Sequence, residues 1–130
     1  MSKHNYEYHV DIVTKRYFHG VDNYDMDMVL DCFHEDAVLR EMTSDTTHDG
    51  IENIKGMFEG LFGAHSRIWH GNFAHTVDTS EHAICSQFSV EVTNKESGEL
   101  TRYENSNRFY LEDGKFKRVF VYMSGSNLLK

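Results

Sequence analysis

Four long strand-like runs dominate the second half of this chain. Arg67–Asp78, Ala83–Asn94, Leu100–Glu112 and Lys115–Met123 are rich in aromatic and β-branched residues. Only Thr79–His82, Lys95–Gly98 and Asp113–Gly114 separate them. Strands joined by such short turns are antiparallel neighbours, and Asp-Gly is a strong two-residue hairpin signal. A four-strand meander follows. One of its faces needs a cover, and the first half of the chain must supply it.

That half reads as helix, helix, strand, helix. Tyr6, Val10, Val13, Tyr17 and Val21 recur at helical spacing and make one face of a first helix ending near Asp22–Asn23. Asn23–Tyr24–Asp25 breaks the pattern, and Asp25 or Asp27 can cap a short helix around Asp27–Phe33. Met28, Val29, Cys32 and Phe33 bury it. A strand follows at Ala37–Met42. TSDTTHDG reads as a loop, with Asp49 as the cap of a third helix carrying Ile51, Ile54, Met57 or Phe58, and Leu61. The expected class is α+β. The chain shows no internal repeat or linker, so residues 1–130 read as a single domain. With no proline, every turn falls to Gly, Asn, Asp and Ser.

Composition closes several function classes. A net charge of −8 argues against a nucleic-acid partner, which needs a dense basic surface. No apolar run approaches the roughly 20 residues of a membrane span. The opening MSKHNYEYHVD is polar and lacks a signal-peptide core. Cys32 and Cys85 are too isolated for a disulfide framework or a zinc site and read as reduced structural thiols. The cytoplasm is the expected location. Among nine histidines no spacing matches compact zinc motifs. His70 and His75, five apart in one strand, are expected on opposite faces. No metal is expected.

Strand alternation selects candidate residues. If Ala37 and Leu39 point into the core, Glu41 goes in with them. In Leu100–Glu112 one face carries Arg102, Glu104 and Arg108 and belongs outside. The other then brings Asn105 and Asn107 onto an apolar face, where a buried amide must find a partner or a ligand. In Ala83–Asn94, Phe88, Val90 and Val92 share one face. Arg67–Asp78 reads two ways: Ile68, His70 and Asn72 on one face, or Trp69, Phe73 and His75 on the other, facing either the helices or a partner subunit.

Two stretches carry a resemblance. RYFHGVDNYDMDMVLDCFHEDAVLRE, followed by HDGIENIKGMF, resembles the opening of the SnoaL-like and steroid-isomerase-like proteins of the nuclear-transport-factor-two superfamily. The meander and its hairpin extend the likeness over essentially the whole chain. The resemblance implies a cone-shaped α+β barrel, with three N-terminal helices packed on a strongly bent, mainly antiparallel sheet and an apolar pocket at the open end. By likeness to the steroid isomerases, Tyr17 matches the tyrosine that donates to the substrate oxygen. Glu41 matches the proton-shuttling carboxylate, and Asn107 stands where those enzymes keep a protonated aspartate. By likeness to the SnoaL-like dehydratases, Tyr17 and Asp22 match a catalytic tyrosine and aspartate. The histidine of that branch falls on Ile68, with His70 next on the same face.

The expectation is therefore an isomerase, dehydratase or cyclase without a cofactor. It would move a proton on a largely apolar molecule bearing a carbonyl or hydroxyl. Glu41, Tyr17, His70 and Asp22 are the catalytic candidates, and Asn107, Asn105 and Asn72 the substrate-binding ones. In an apolar hollow the Glu41 pKa is expected to rise towards neutrality. A non-catalytic binding or assembly module on the same fold is the alternative. The resemblance also implies a homodimer through the outer sheet face, with Trp69 and Phe73 as the candidate surface.

Overall fold

Three helical units lie on a six-stranded mixed sheet in the computed structural model, which describes residues 5–130. The first four residues of the polar opening lie outside the described residues. The leading unit runs from α1 (Tyr6–Asp11) through a π-helical segment (Ile12–Phe18) into α2 (His19–Asp22). The π turn changes the phase of the apolar stripe. Ile12, Val13, Tyr17, Phe18 and Val21 are all buried, while Tyr6 is 48% exposed and His9 takes its place inside. Asp25 caps α3 (Met26–Leu30) by accepting the Met28 N–H at 3.2 Å.

Strand β1 (Phe33–Glu41) begins earlier than its alternation implies, so Phe33 belongs to the sheet and not to the helix before it. The polar stretch read as a loop contains a short strand, β2 (Thr46–Asp49), paired antiparallel with β1. Thr46–Asp49 alternates half-buried and exposed positions without an apolar residue, so hydrophobic periodicity could not reveal it. Gly50, at φ +87°, caps α4 (Ile51–Ala64) in place of Asp49. Ile54, Met57, Phe58 and Leu61 form the buried stripe of α4.

The meander is β3 (His65–Asp78), β4 (Ala83–Asn94), β5 (Leu100–Glu112) and β6 (Lys115–Tyr122). The sheet order is β2-β1-β6-β5-β4-β3, with β1 parallel to β6 and every other pair antiparallel. The sheet curls around the helices but stays open, since its edges β2 and β3 do not pair. Asp113 and Gly114 take φ +50° and +80°, the double left-handed geometry that Asp-Gly hairpins favour.

One irregularity decides what faces the interior. Between Gly71 and Ala74, β3 advances three residues while β4 advances two, from Ser89 to Gln87. Asn72, at φ +55°, supplies the left-handed step of this bulge. Side chains change faces across it. Ile68 and His70 line the interior before the bulge. After it, the Phe73 ring sits 5.5 Å from Phe18, and His75 bonds Ser86 Oγ at 2.8 Å. His70 and His75 therefore share the inner face, contrary to unbroken alternation. Trp69 and Phe73 lie on opposite faces, so they do not form one outer surface. Among the described residues no group of three His, Cys, Asp or Glu side chains is placed to hold a metal ion. No described helix is long and apolar enough to cross a membrane.

Trp69, the single tryptophan, lies over Gly71 on the outer face: a β-carbon there would meet Trp69 Cζ2 at 2.2 Å. Gly71→Ala should push the indole into solvent, red-shift its fluorescence and lower stability by about 1–3 kcal/mol in urea titration. An unchanged emission spectrum would contradict this packing.

Candidate functional site

The interior of the curl holds a hollow of about 40 Å³. At roughly 10–15 Å³ per water that is room for a few waters or a small group. Tyr17, Phe18 and Val21 of the first helical unit wall one side, and Phe58 and Leu61 of α4 another. Ile68 and His70 come from β3, Phe88, Val90 and Val92 from β4, Asn105 and Asn107 from β5. Val121 and Met123 extend the wall, and Leu128 and Leu129, beyond β6, complete it. The lining is apolar except for Tyr17, His70 and the two asparagines.

Asp22 and His70 meet here. Asp22 ends α2, while β3 is an edge strand whose outer N–H groups have no strand partner. The carboxylate meets that need: Oδ2 accepts the His70 backbone N–H at 3.0 Å, and Oδ1 contacts His70 Nδ1 at 2.6 Å. A carboxylate only accepts, so Nδ1 carries the hydrogen and Nε2 of the neutral ring keeps its lone pair. Phe18 and Phe88 hold the ring, with centroids 4.4 and 5.4 Å away. No hydrogen bond to another described residue occupies Nε2.

Asn107 is 3% exposed, and its Oδ1 is buried without a hydrogen-bond partner. An orphaned acceptor in an apolar wall carries a cost of about 1–3 kcal/mol that a bound donor would remove. Asn105, at 5% exposure, is already engaged: its Oδ1 accepts the Ser124 N–H at 3.2 Å. Tyr17 is 2% exposed, edge-on to Phe33, Phe58, Phe109 and Phe116 at 5.4–6.2 Å. Burial above all, and Cys32 beside it, raise its pKa, so the phenol stays protonated and able to donate.

Glu41 is different. Its side chain turns inward, as alternation in β1 requires, and is fully buried. Yet it does not wall the hollow. Oε2 accepts the Thr43 N–H at 3.1 Å, and Oε1 accepts the Ser44 N–H at 2.8 Å and the Ser44 hydroxyl at 2.9 Å. Burial pushes its pKa up, but hydrogen bonds from the Ser44 and Thr43 backbone and side chains outweigh that and hold it below the ordinary range. The expected rise towards neutrality is overturned: the apolar surroundings come with a ring of donors supplied by the turn into β2. Asn72 also departs from expectation. The bulge turns it outward, where it donates to Ser89 Oγ at 3.2 Å, and it is absent from the hollow.

Phe18, Phe88, Leu128 and Leu129 were not singled out as site residues from the sequence. Phe18 enters through the π segment, and the two leucines through a segment without periodicity. The Gly71–Asn72 pair was a legible bulge signal, because isolated glycines in strands often mark one.

A carboxyl whose folded pKa lies below its unfolded value adds stability that is present above the ordinary glutamate range, near 4.3, and is lost as pH falls through the folded value. Glu41→Gln should therefore cost about 1.5–3 kcal/mol at neutral pH. The gap to the wild type should close on acidification in urea titrations at stepped pH. A constant gap would show that the charge is not what the turn uses.

Comparison with known proteins agrees with this architecture. The profile described as a SnoaL-like domain matches residues 14–119. No curated protein matches the chain. Among solved structures, a provisionally named aromatic ring hydroxylase from Novosphingobium aromaticivorans superposes with a TM-score of 0.75 at 26% identity, over 90% of each chain. A provisionally named polyketide cyclase from Xanthomonas campestris gives a TM-score of 0.77 at 17% identity, over 92% of this chain and 90% of its own. A Catenulispora acidiphila protein with a ketosteroid isomerase-like fold, solved with trimethylamine, gives 0.78 at 10% identity, over 90% of this chain and 88% of its own. With the profile spanning most of its length, this chain belongs to the SnoaL-like family.

Proposed function

We propose that this chain is a small-molecule enzyme of the isomerase, dehydratase or cyclase type, moving a proton on a compact, largely apolar ketone or enol. The Asp22–His70 pair carries the reading: a carboxylate at 2.6 Å fixes the imidazole tautomer at the wall of an apolar hollow. His70 Nε2 removes or returns the proton. Asp22 orients the ring and stabilises the imidazolium that forms. The Tyr17 phenol donates to the developing enolate oxygen, a role that its raised pKa favours by keeping its proton in place. Asn107 holds a hydroxyl through its unpartnered Oδ1, and Asn105 borders the same polar end. Glu41, its oxygens committed to Thr43 and Ser44, is not the base in this scheme.

The enzyme works in the cytoplasm as a homodimer through the outer sheet face. Tyr110 there lies between the Arg108 and Arg118 guanidinium groups at 5.2 and 4.2 Å. Sedimentation of the wild type against Tyr110→Ala tests the dimer, with a shift to monomer expected.

Exchange of the α-hydrogens of small ring ketones such as cyclohexanone in D2O, followed by NMR, tests the chemistry. His70→Asn and Asp22→Asn should each slow exchange by about 10²–10⁴-fold with little change in melting temperature. Exchange unaffected by His70→Asn would remove the imidazole from the mechanism. Ketone binding with no catalysed exchange would favour the non-catalytic binding module.

A further inference from the structure

The outer wall of the hollow is not part of the sheet. Leu128 and Leu129 belong to residues 123–130, which follow β6 and fold back over the opening. Leu129 is buried in the core with Leu128 packed against it, and side-chain hydrogen bonds tie the segment down. Asn127 Nδ2 donates to Ser44 Oγ at 3.0 Å and approaches Thr46 Oγ1 at 3.4 Å. Asn127 Oδ1 accepts the Leu129 N–H at 2.7 Å, and His48 Nε2 contacts the Leu129 carbonyl at 2.8 Å.

Glu41 sets the direction of this chain of bonds. An ionised carboxylate only accepts, so the single hydroxyl hydrogen of Ser44 is committed to Glu41 Oε1. Ser44 Oγ can then only accept, which fixes Thr46 as the donor of their 2.9 Å contact. Asn127 fits the same sense: the Leu129 N–H can only donate, so Oδ1 faces Leu129 and the NH2 faces the accepting Ser44 Oγ. A fully buried charge is thus joined by two polar side chains to the backbone of a leucine that closes the hollow.

We propose that Glu41 is a positioning residue for ligand selection. Through Ser44 and Asn127 it holds Leu128 and Leu129 across the hollow, whose volume of about 40 Å³ admits only a small group while they stay in place. This rests on the hollow being the ligand site. A single ring enters when the leucine wall yields a little, and a larger one only when the Asn127 link opens. The ligand that asks least of the leucine wall is a hydroxylated single ring: its hydroxyl can donate to the unpartnered Asn107 Oδ1 and accept from the Tyr17 phenol on the same lining.

Phenol and 2-naphthol are the probes, with binding measured by NMR titration on the whole chain. The wild type should bind phenol and prefer it to 2-naphthol. Asn127→Ala and Leu129→Ala should shift that preference towards 2-naphthol by about tenfold, the scale on which apolar pockets discriminate small differences in size. Glu41→Gln should shift it in the same direction. The double variant Glu41→Gln/Asn127→Ala should go no further than either single one, since both break one link. Hydrogen exchange supplies a readout that needs no ligand. The Leu129 amide should lose protection in Glu41→Gln and in Asn127→Ala, while the β5 and β6 amides keep theirs. Phenol binding with an unchanged preference in Asn127→Ala and Leu129→Ala would overturn the inference and leave the ligand site standing. Absence of phenol binding to the wild type would overturn both.

Discussion

A single extra residue in β3 governs the interior of this molecule. Without the bulge at Asn72, one face of the strand would present Ile68 and His70 and then continue into Asn72, Ala74 and Thr76. With it, Ile68 and His70 lead directly into Phe73, His75 and Val77 on the same side. The inner face gains Phe73 and Val77 while carrying His70 before the bulge and His75 after it. The curl of the sheet then brings His70 to the end of α2, where both Asp22 carboxylate oxygens engage it. The cost of a left-handed residue is small for Asn, and it yields both a continuous core and a site within it.

The polar groups in and beside the hollow are few, and their surroundings differ. His70 is held by Asp22 in the tautomer that leaves a lone pair free. Tyr17, surrounded by aromatic rings, keeps its proton because burial disfavours the phenolate. Glu41, equally buried, keeps its charge because backbone and hydroxyl donors surround it. Burial alone would push both acids the same way. The number of donors within reach separates them, and only three-dimensional placement sets that number.

Such a division of labour suits a family whose fold is shared by proteins with different names and chemistries. The curled sheet and its helices provide an apolar hollow. What happens inside depends on a handful of side chains. In this chain those are an imidazole on an edge strand, a phenol on a π-helical turn and an amide left without a partner.

The meander, the helical cover, the Asp113–Gly114 hairpin and the inward Asn105, Asn107 and Glu41 were all legible in the sequence. Each depends on local periodicity or turn chemistry, which act over a few residues. The contact of Asp22 with His70, 48 positions apart, was not legible, nor was the donor ring that keeps Glu41 ionised. Strand β2, built from Thr46–Asp49 with no apolar residue, is a strand only because β1 lies beside it. Leu128 and Leu129 become a pocket wall through core packing and through Asn127 and His48, which tie the segment to the turn and strand after β1. Sequence periodicity says which face a residue takes. It carries no information about which distant group waits on that face, and the chemistry of a buried charge, imidazole or amide is decided by that neighbour.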